Sequence, residues 1–197
     1  MGTEVKAIVV GDAGCGKSCL VLRFLKGHFI TGDEQKSSFE TGTANVFVQG
    51  QKVELMICDT DSSSLFDSLR QLSYNDGDVI VMCYSVTDRE SLQNVLEKWR
   101  PEMMDNVTSD RPIILVATKK DLRDPGLSFS NVRGSCFLHQ EPVTTLEGQE
   151  MEKMLHAVDF FECSAKRDVG VREVFQRVAE VGLESSRSRR KKVCRPS

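Results

Sequence analysis

The sequence predicts an α/β fold: one mostly parallel six-stranded sheet with a single antiparallel edge, covered by helices on both faces. Three observations carry this. Apolar, β-branched runs recur at Val5–Val10, Val53–Ile57, Val79–Tyr84, Ile113–Ala117 and Phe160–Cys163, each closed by glycine, aspartate or serine. Helix-like segments lie between them, and strands alternating with helices require parallel pairing through right-handed crossovers. The last is Thr43–Val48 and Gln51–Ile57 flanking Gln49-Gly50, the signature of one antiparallel hairpin. At 197 residues the chain suits a single domain, one that buries roughly two-thirds of its unfolded surface without disulfide staples.

Taken in order, Val5–Val10 is the first strand and runs into Gly11-Asp12-Ala13-Gly14-Cys15-Gly16-Lys17-Ser18. This is a full G-x-x-x-x-G-K-[ST] phosphate loop, placed between strand and helix as its chemistry requires. Backbone N–H groups and the helix N-terminus cradle phosphate oxygens; Lys17 reaches the β/γ-phosphates and the Ser18 hydroxyl ligates Mg²⁺. The first helix is expected over Lys17–Lys26. After the hairpin comes Cys58-Asp59-Thr60-Asp61-Ser62-Ser63-Ser64. The next helix is predicted over Ser91–Arg100, stopping at Pro101, and later ones over Leu146–His156 and Val171–Val181. Ligands on such sheets sit at the carboxyl ends of the strands. Those ends carry Thr118-Lys119-Lys120-Asp121 and Glu162-Cys163-Ser164-Ala165-Lys166. No internal repeat is present.

Charge divides the chain. From Arg187 onward there are six basic residues and no acid; removing them from the formal net charge of −3 leaves −9 for residues 1–186. An acidic body with a basic tail directs the tail, not the body, toward an anionic surface, and residues 183–197 read as a flexible appendage. Seven scattered cysteines without C-x-x-C spacing read as reduced thiols of an intracellular protein. The three histidines do not pair with them at zinc-ligand spacing. No apolar signal region or membrane-spanning run is evident.

The phosphate loop, "TKKD" and "ECSAK" together look like the nucleotide-binding motifs of small GTPases. The resemblance covers nearly the whole chain and is nearest the Rho family, on "VELMICDT", "LSYNDGDVIVMCYSV", "PIILVATKKDLRD", "QEPVT" and "ECSAK…GVREVF". It implies a P-loop G domain over residues 1–182 that binds GTP and GDP with Mg²⁺, with a Rho-type insert helix at about 124–141. The implied nucleotide-binding residues are Ala13, Gly14, Cys15, Gly16, Lys17, Ser18, Cys19, Phe29, Ser37, Asp59, Ser62, Thr118, Lys119, Asp121, Leu122, Ser164, Ala165 and Lys166. Ser18, Ser37 and, through water, Asp59 would hold the metal. Asp121 can accept from guanine N1–H and N2–H₂ together, a donor pair adenine lacks. Lys119 lays its methylenes over the base, Phe29 packs on its edge and the Ala165 N–H meets the guanine oxygen. Thr118 stands where many GTPases carry asparagine; the Rac-like branch also uses threonine.

Three departures from the family pattern converge on the γ-phosphate. In the second switch Asp-x-x-Gly-Gln becomes Asp59-Thr60-Asp61-Ser62-Ser63. Lys17 and the degenerate position Ser63 are the candidate catalytic residues, and serine is too short to orient the attacking water as glutamine does. Ala13 replaces a glycine and crowds the approach of an activator's arginine finger. In the first switch Phe39 and Glu40 match the effector segment and, with Ser38, are the candidate effector-binding residues, but Asp33–Ser38 stands where the family has Tyr-x-Pro-Thr. The expected function is therefore a Rnd-like, GTP-dependent effector-binding surface with weak or absent hydrolysis. Two rivals stand: a GTPase that hydrolyses through a rearranged second switch or a partner's group, and a nucleotide-free scaffold. A P-loop kinase fits less well, because no acceptor-binding lid is seen. Drift in a dead paralogue would also produce the serine cluster.

The resemblance further implies effectors, Rho exchange factors and a dissociation inhibitor as partners, a monomer, no nucleic acid, and a place in cytoskeletal regulation. The "GKSC" segment resembles a redox-sensitive motif of the family, and Cys19 reads either as that thiol or as a buried, inert one. Cys194 is a candidate lipidation site in C-a-a-X position ahead of Arg195-Pro196-Ser197, with Arg195 and Pro196 where aliphatic residues belong. The basic run also reads as an electrostatic membrane patch, a nuclear-localisation segment or a solvated tail. Cytoplasm and the cytoplasmic face of the plasma membrane are the expected locations.

Overall fold

A computed structural model describes residues 3–29, 40–123 and 141–193. Its elements in chain order are β1 (Thr3–Gly11), α1 (Lys17–Lys26), β2 (Glu40–Val48), β3 (Gln51–Asp59), a 3₁₀ turn (Ser64–Phe66) and α2 (Asp67–Asp76). They continue with β4 (Val79–Ser85), α3 (Arg89–Asn94), a π-helical stretch (Val95–Trp99), α4 (Arg100–Asn106), β5 (Ile113–Thr118) and α5 (Lys120–Arg123). The chain closes with α6 (Thr145–Leu155), β6 (Asp159–Glu162) and α7 (Val171–Val193).

The six strands lie in the order β2-β3-β1-β4-β5-β6. Only β2 and β3 are antiparallel; the other neighbours are parallel. Every residue of β4 and β5 is buried, as central parallel strands covered on both faces must be. The hairpin turns where expected, at Gln49 and Gly50, which both take positive φ (50° and 77°), the backbone of a tight two-residue turn. One apolar layer joins α1 and α7 to the sheet through Leu20, Val21, Phe175 and Val178. The opposite layer packs Tyr74, Val95, Trp99, Met103 and Met151 on the other face.

Two sequence expectations are corrected. Pro101 does not stop the helix that precedes it. The Arg100 N–H reaches back to the Val95 carbonyl, a π-type bond that widens the turn before the proline, and α4 starts with Pro101 in its first turn. The ring thus escapes the clash it would meet in a continuous α-helix. The flexible appendage expected from residue 183 is also corrected as far as Val193, since α7 continues that far. Leu183 and Ser186 are buried; Arg187 donates to Gln51 Oε1 at 2.8 Å, and Arg189 donates to the Gly77 carbonyl at 2.9 Å and pairs with Asp78. Arg187 and Arg189 of the basic run thus tie the end of α7 to the sheet side of the molecule.

Of the predicted residues, Ser37, Ser38, Phe39 and Cys194, and the insert apart from Glu141, lie outside the described residues. No helix among the described residues is long and apolar enough to cross a membrane.

Candidate functional site

The carboxyl ends of β1, β5 and β6 converge on a cavity of about 590 Å³. It is lined by Gly14, Gly16, Lys17, Ser18, Cys19 and Phe29 from the loop and helix after β1, by Thr118, Lys119, Asp121 and Leu122 after β5, and by Ala165 and Lys166 after β6. Motifs far apart in sequence thus share one wall-to-wall site, as a parallel sheet with ligands at its strand ends requires.

The phosphate loop is held by backbone geometry. Gly11 (φ 146°) passes so close to β4 that a Cβ there would lie 2.2 Å from the Cys83 carbonyl oxygen. Gly16 (φ 103°) precedes α1 in the left-handed region, a conformation glycine adopts without strain. Lys17 is 6 % exposed, and its ammonium donates to the carbonyls of Gly11 and Asp12 at 2.7 Å each. The cation is therefore fixed at the loop's mouth. Lys119, with φ 58°, donates to the Gly14 carbonyl at 2.6 Å, which lays its methylene stem along the cavity. The Thr118 hydroxyl ties the two loops together, donating to the carbonyls of Cys15 and Tyr84.

Asp121 is oriented by Ser164, whose hydroxyl donates to its Oδ1 at 2.6 Å while accepting the Arg167 N–H at 3.0 Å. The Lys120 N–H donates to the Cys163 carbonyl at 3.0 Å, docking α5 on the loop after β6. Beneath lies Glu162, which takes a two-pronged hydrogen bond from Arg123 (2.6 and 2.7 Å) and an ion pair from Lys120. Burial pushes the Glu162 carboxyl up, but Arg123, Lys120 and Thr145 outweigh it and hold it below the ordinary carboxylate range. Arg123 and Glu162 were not legible as site supports, since nothing in the sequence says that α5 and β6 face each other.

Other predicted residues sit at the rim or below it. Ala13 is exposed on the phosphate loop. Cys15 points beneath it, where burial pushes its thiol up. Burial also raises the Cys19 thiol, against the pull of Lys119. Asp59 ends β3 and is 4 % exposed. Among the described residues no group of three or more His, Cys, Asp or Glu side chains could enclose a metal. The Ser18 hydroxyl lines the cavity, and hydroxyl and carboxylate oxygens are donors of the kind Mg²⁺ takes while keeping its waters and binding phosphate oxygens.

Ser62 and Ser63 are half-exposed on the loop leading to α2. The Asp61 carboxylate accepts the Ser63 N–H at 2.7 Å, and the Ser63 hydroxyl accepts the Leu65 N–H at 3.2 Å, capping the 3₁₀ turn. Behind them Arg70, fully buried, donates to the Asp61 carbonyl at 2.6 Å, to Asp67 at 2.5 Å and to both oxygens of Glu102 at 2.7 Å. Its hydrogen bond to Glu102 raises the guanidinium's affinity for its proton. The guanidinium also lies 5.1 Å from the centroid of the Trp99 ring. Trp99 in turn donates its indole N–H to Asp12 Oδ1 at 2.9 Å, and Asn94 donates to Oδ2 at 2.7 Å. Asp12, a variable position within the phosphate-loop motif, thereby moors the loop to the π-helical turn. Substituting Arg70→Met strands Glu102 in a mostly buried site; a loss of about 3–5 kcal/mol is expected for breaking one side of such a pair, measured as a lower urea midpoint.

A profile of the Ras family matches residues 6–183. The GTP-binding protein RHO1 of Candida albicans is 43% identical over 187 residues, spanning 95% of this chain and 92% of that protein.

Proposed function

The chain belongs to the Rho family of small GTPases, and from that premise we propose that it works as a GTP-dependent binding surface with little or no turnover. Rho-type signalling proteins bind GTP and GDP, typically with Mg²⁺, and act through effectors. In this chain Lys17 and the loop N–H groups would hold the phosphates, Ser18 and Asp59 the metal, and Asp121 the guanine edge. The metal would neutralise phosphate charge; hydrolysis additionally needs a residue that orients water.

The carrying observation is the contrast between the two halves of the site. The phosphate and base elements line one cavity, while the side chain at the water-orienting position, Ser63, is used to cap the 3₁₀ turn. Binding is supported by what is retained, and impaired hydrolysis by where Ser63 is engaged. Leu65, Leu69, Leu72 and Met104 are 88, 45, 72 and 50 % exposed, apolar side chains suited to meeting effectors. The basic tail is proposed to meet an anionic membrane surface from the cytoplasmic side, and cytoskeletal regulation is the process proposed by family analogy.

The nucleotide released by denaturing freshly purified protein, separated by ion exchange, tests this reading. Predominantly GTP is expected. GDP would overturn the loss of hydrolysis, and an empty site would favour the nucleotide-free scaffold.

A further inference from the structure

Asp12 serves two neighbours at once. Its backbone carbonyl accepts the Lys17 ammonium at 2.7 Å, beside the Gly11 carbonyl. Its carboxylate is held on both oxygens, Oδ1 by the Trp99 indole N–H at 2.9 Å and Oδ2 by the Asn94 amide at 2.7 Å. Trp99 is wholly buried and its ring also lies against the Arg70 guanidinium, so Asp12 is anchored to the core. The π-helical stretch allows this two-sided grip. Residues five apart point about 140° away from each other on an α-helix. The bond from the Arg100 N–H to the Val95 carbonyl widens the turn, which brings Trp99 back toward the side of Asn94.

A lysine ammonium has three N–H donors. Two go to the carbonyls of Gly11 and Asp12, so the direction of the third is set by where that backbone sits. We infer that Asp12, clamped by Trp99 and Asn94, is a positioning residue of the phosphate subsite: it fixes the backbone that aims Lys17, and so sets how long a guanine nucleotide stays bound. The inference rests on the proposed nucleotide binding and gives a role to a position the phosphate-loop motif leaves unspecified. A cation fixed in advance loses little freedom when a phosphate arrives, whereas a loop free to shift must be ordered on binding, which weakens it. Charge alone predicts the opposite outcome, because removing a carboxylate from a phosphate-binding loop should slow release.

Release of N-methylanthraniloyl-GDP from the full-length protein, chased with excess GDP, tests the assignment. Asp12→Ala should release it about tenfold faster or more. Asp12→Asn should stay within about threefold of the parent, because its oxygen still accepts the indole N–H and its NH₂ meets the Asn94 oxygen once that amide turns over. Trp99→Phe keeps the ring, loses the N–H and should release about three- to tenfold faster. Trp99 is the only tryptophan, so its emission reports the clamp directly: it should shift in Asp12→Ala and return toward the parent's in Asp12→Asn. Release from Asp12→Ala within about twofold of the parent overturns the assignment, as does Trp99→Phe releasing as slowly as the parent. So does Asp12→Asn releasing as fast as Asp12→Ala, which would make the effect one of charge. A parent that holds no nucleotide fails the binding proposal and this inference with it, whereas a parent that holds it no longer than Asp12→Ala fails this inference alone. If circular dichroism shows that Asp12→Ala does not fold, Trp99→Phe and Asn94→Ala supply the comparison.

Discussion

Replacing Asp121 with alanine should weaken GTP binding by about two to four orders of magnitude, since two hydrogen bonds to a charged group are worth about 1.5–3 kcal/mol each. Binding of ATP should hardly change, because adenine offers no matching donor pair. The ratio of the two affinities, measured by calorimetry or competition with a fluorescent nucleotide, is therefore the sharper reading, and a ratio unmoved by the substitution would remove Asp121 from base recognition. Ser164→Ala should reproduce part of the effect, about tenfold, by freeing a carboxylate now held at 2.6 Å by the serine hydroxyl. The double variant should lose about as much base selectivity as Asp121→Ala, because Ser164 reaches the base through the carboxylate it positions.

How much of this was legible in the sequence depended on whether the relevant interaction was local. The first strand, the phosphate loop and α1 follow from apolar periodicity and a spacing whose chemistry is explicit, and α1 spans the predicted Lys17–Lys26. The hairpin turn is likewise a property of two adjacent residues. The second-switch helix α2 was not read, for a physical reason: its buried face is Arg70, Ser73 and Tyr74, while Leu69 and Leu72 face solvent. An amphipathic pattern turned inside out defeats a rule that places leucine in the core. The arginines of the last helix failed the same rule in reverse, as partners of Gln51, Gly77 and Asp78 brought near only by the sheet. Asp12 could not be singled out either, since its work depends on Asn94 and Trp99 lying across the loop.

Restoring the family residues together, as A13G/S62G/S63Q, should raise single-turnover GTP hydrolysis by about tenfold or more toward the slow intrinsic rate of a Ras-type GTPase, about 10⁻⁴ s⁻¹. It should also open the site to an activator's arginine, a contribution worth about 10³–10⁵ in rate. Phosphate release from a preloaded complex, with and without activator, measures both, and a triple variant no faster than its parent would place the block elsewhere. The gain has a structural cost. Ser63 caps the 3₁₀ turn through its hydroxyl, and glutamine cannot accept the Leu65 N–H from the same backbone position, so about 0.5–2 kcal/mol of stability should be lost. Asp61 would still hold the residue-63 N–H, which confines the loss to the cap. A variant that hydrolyses faster and melts earlier would show that one serine exchanges catalysis for a capped 3₁₀ turn.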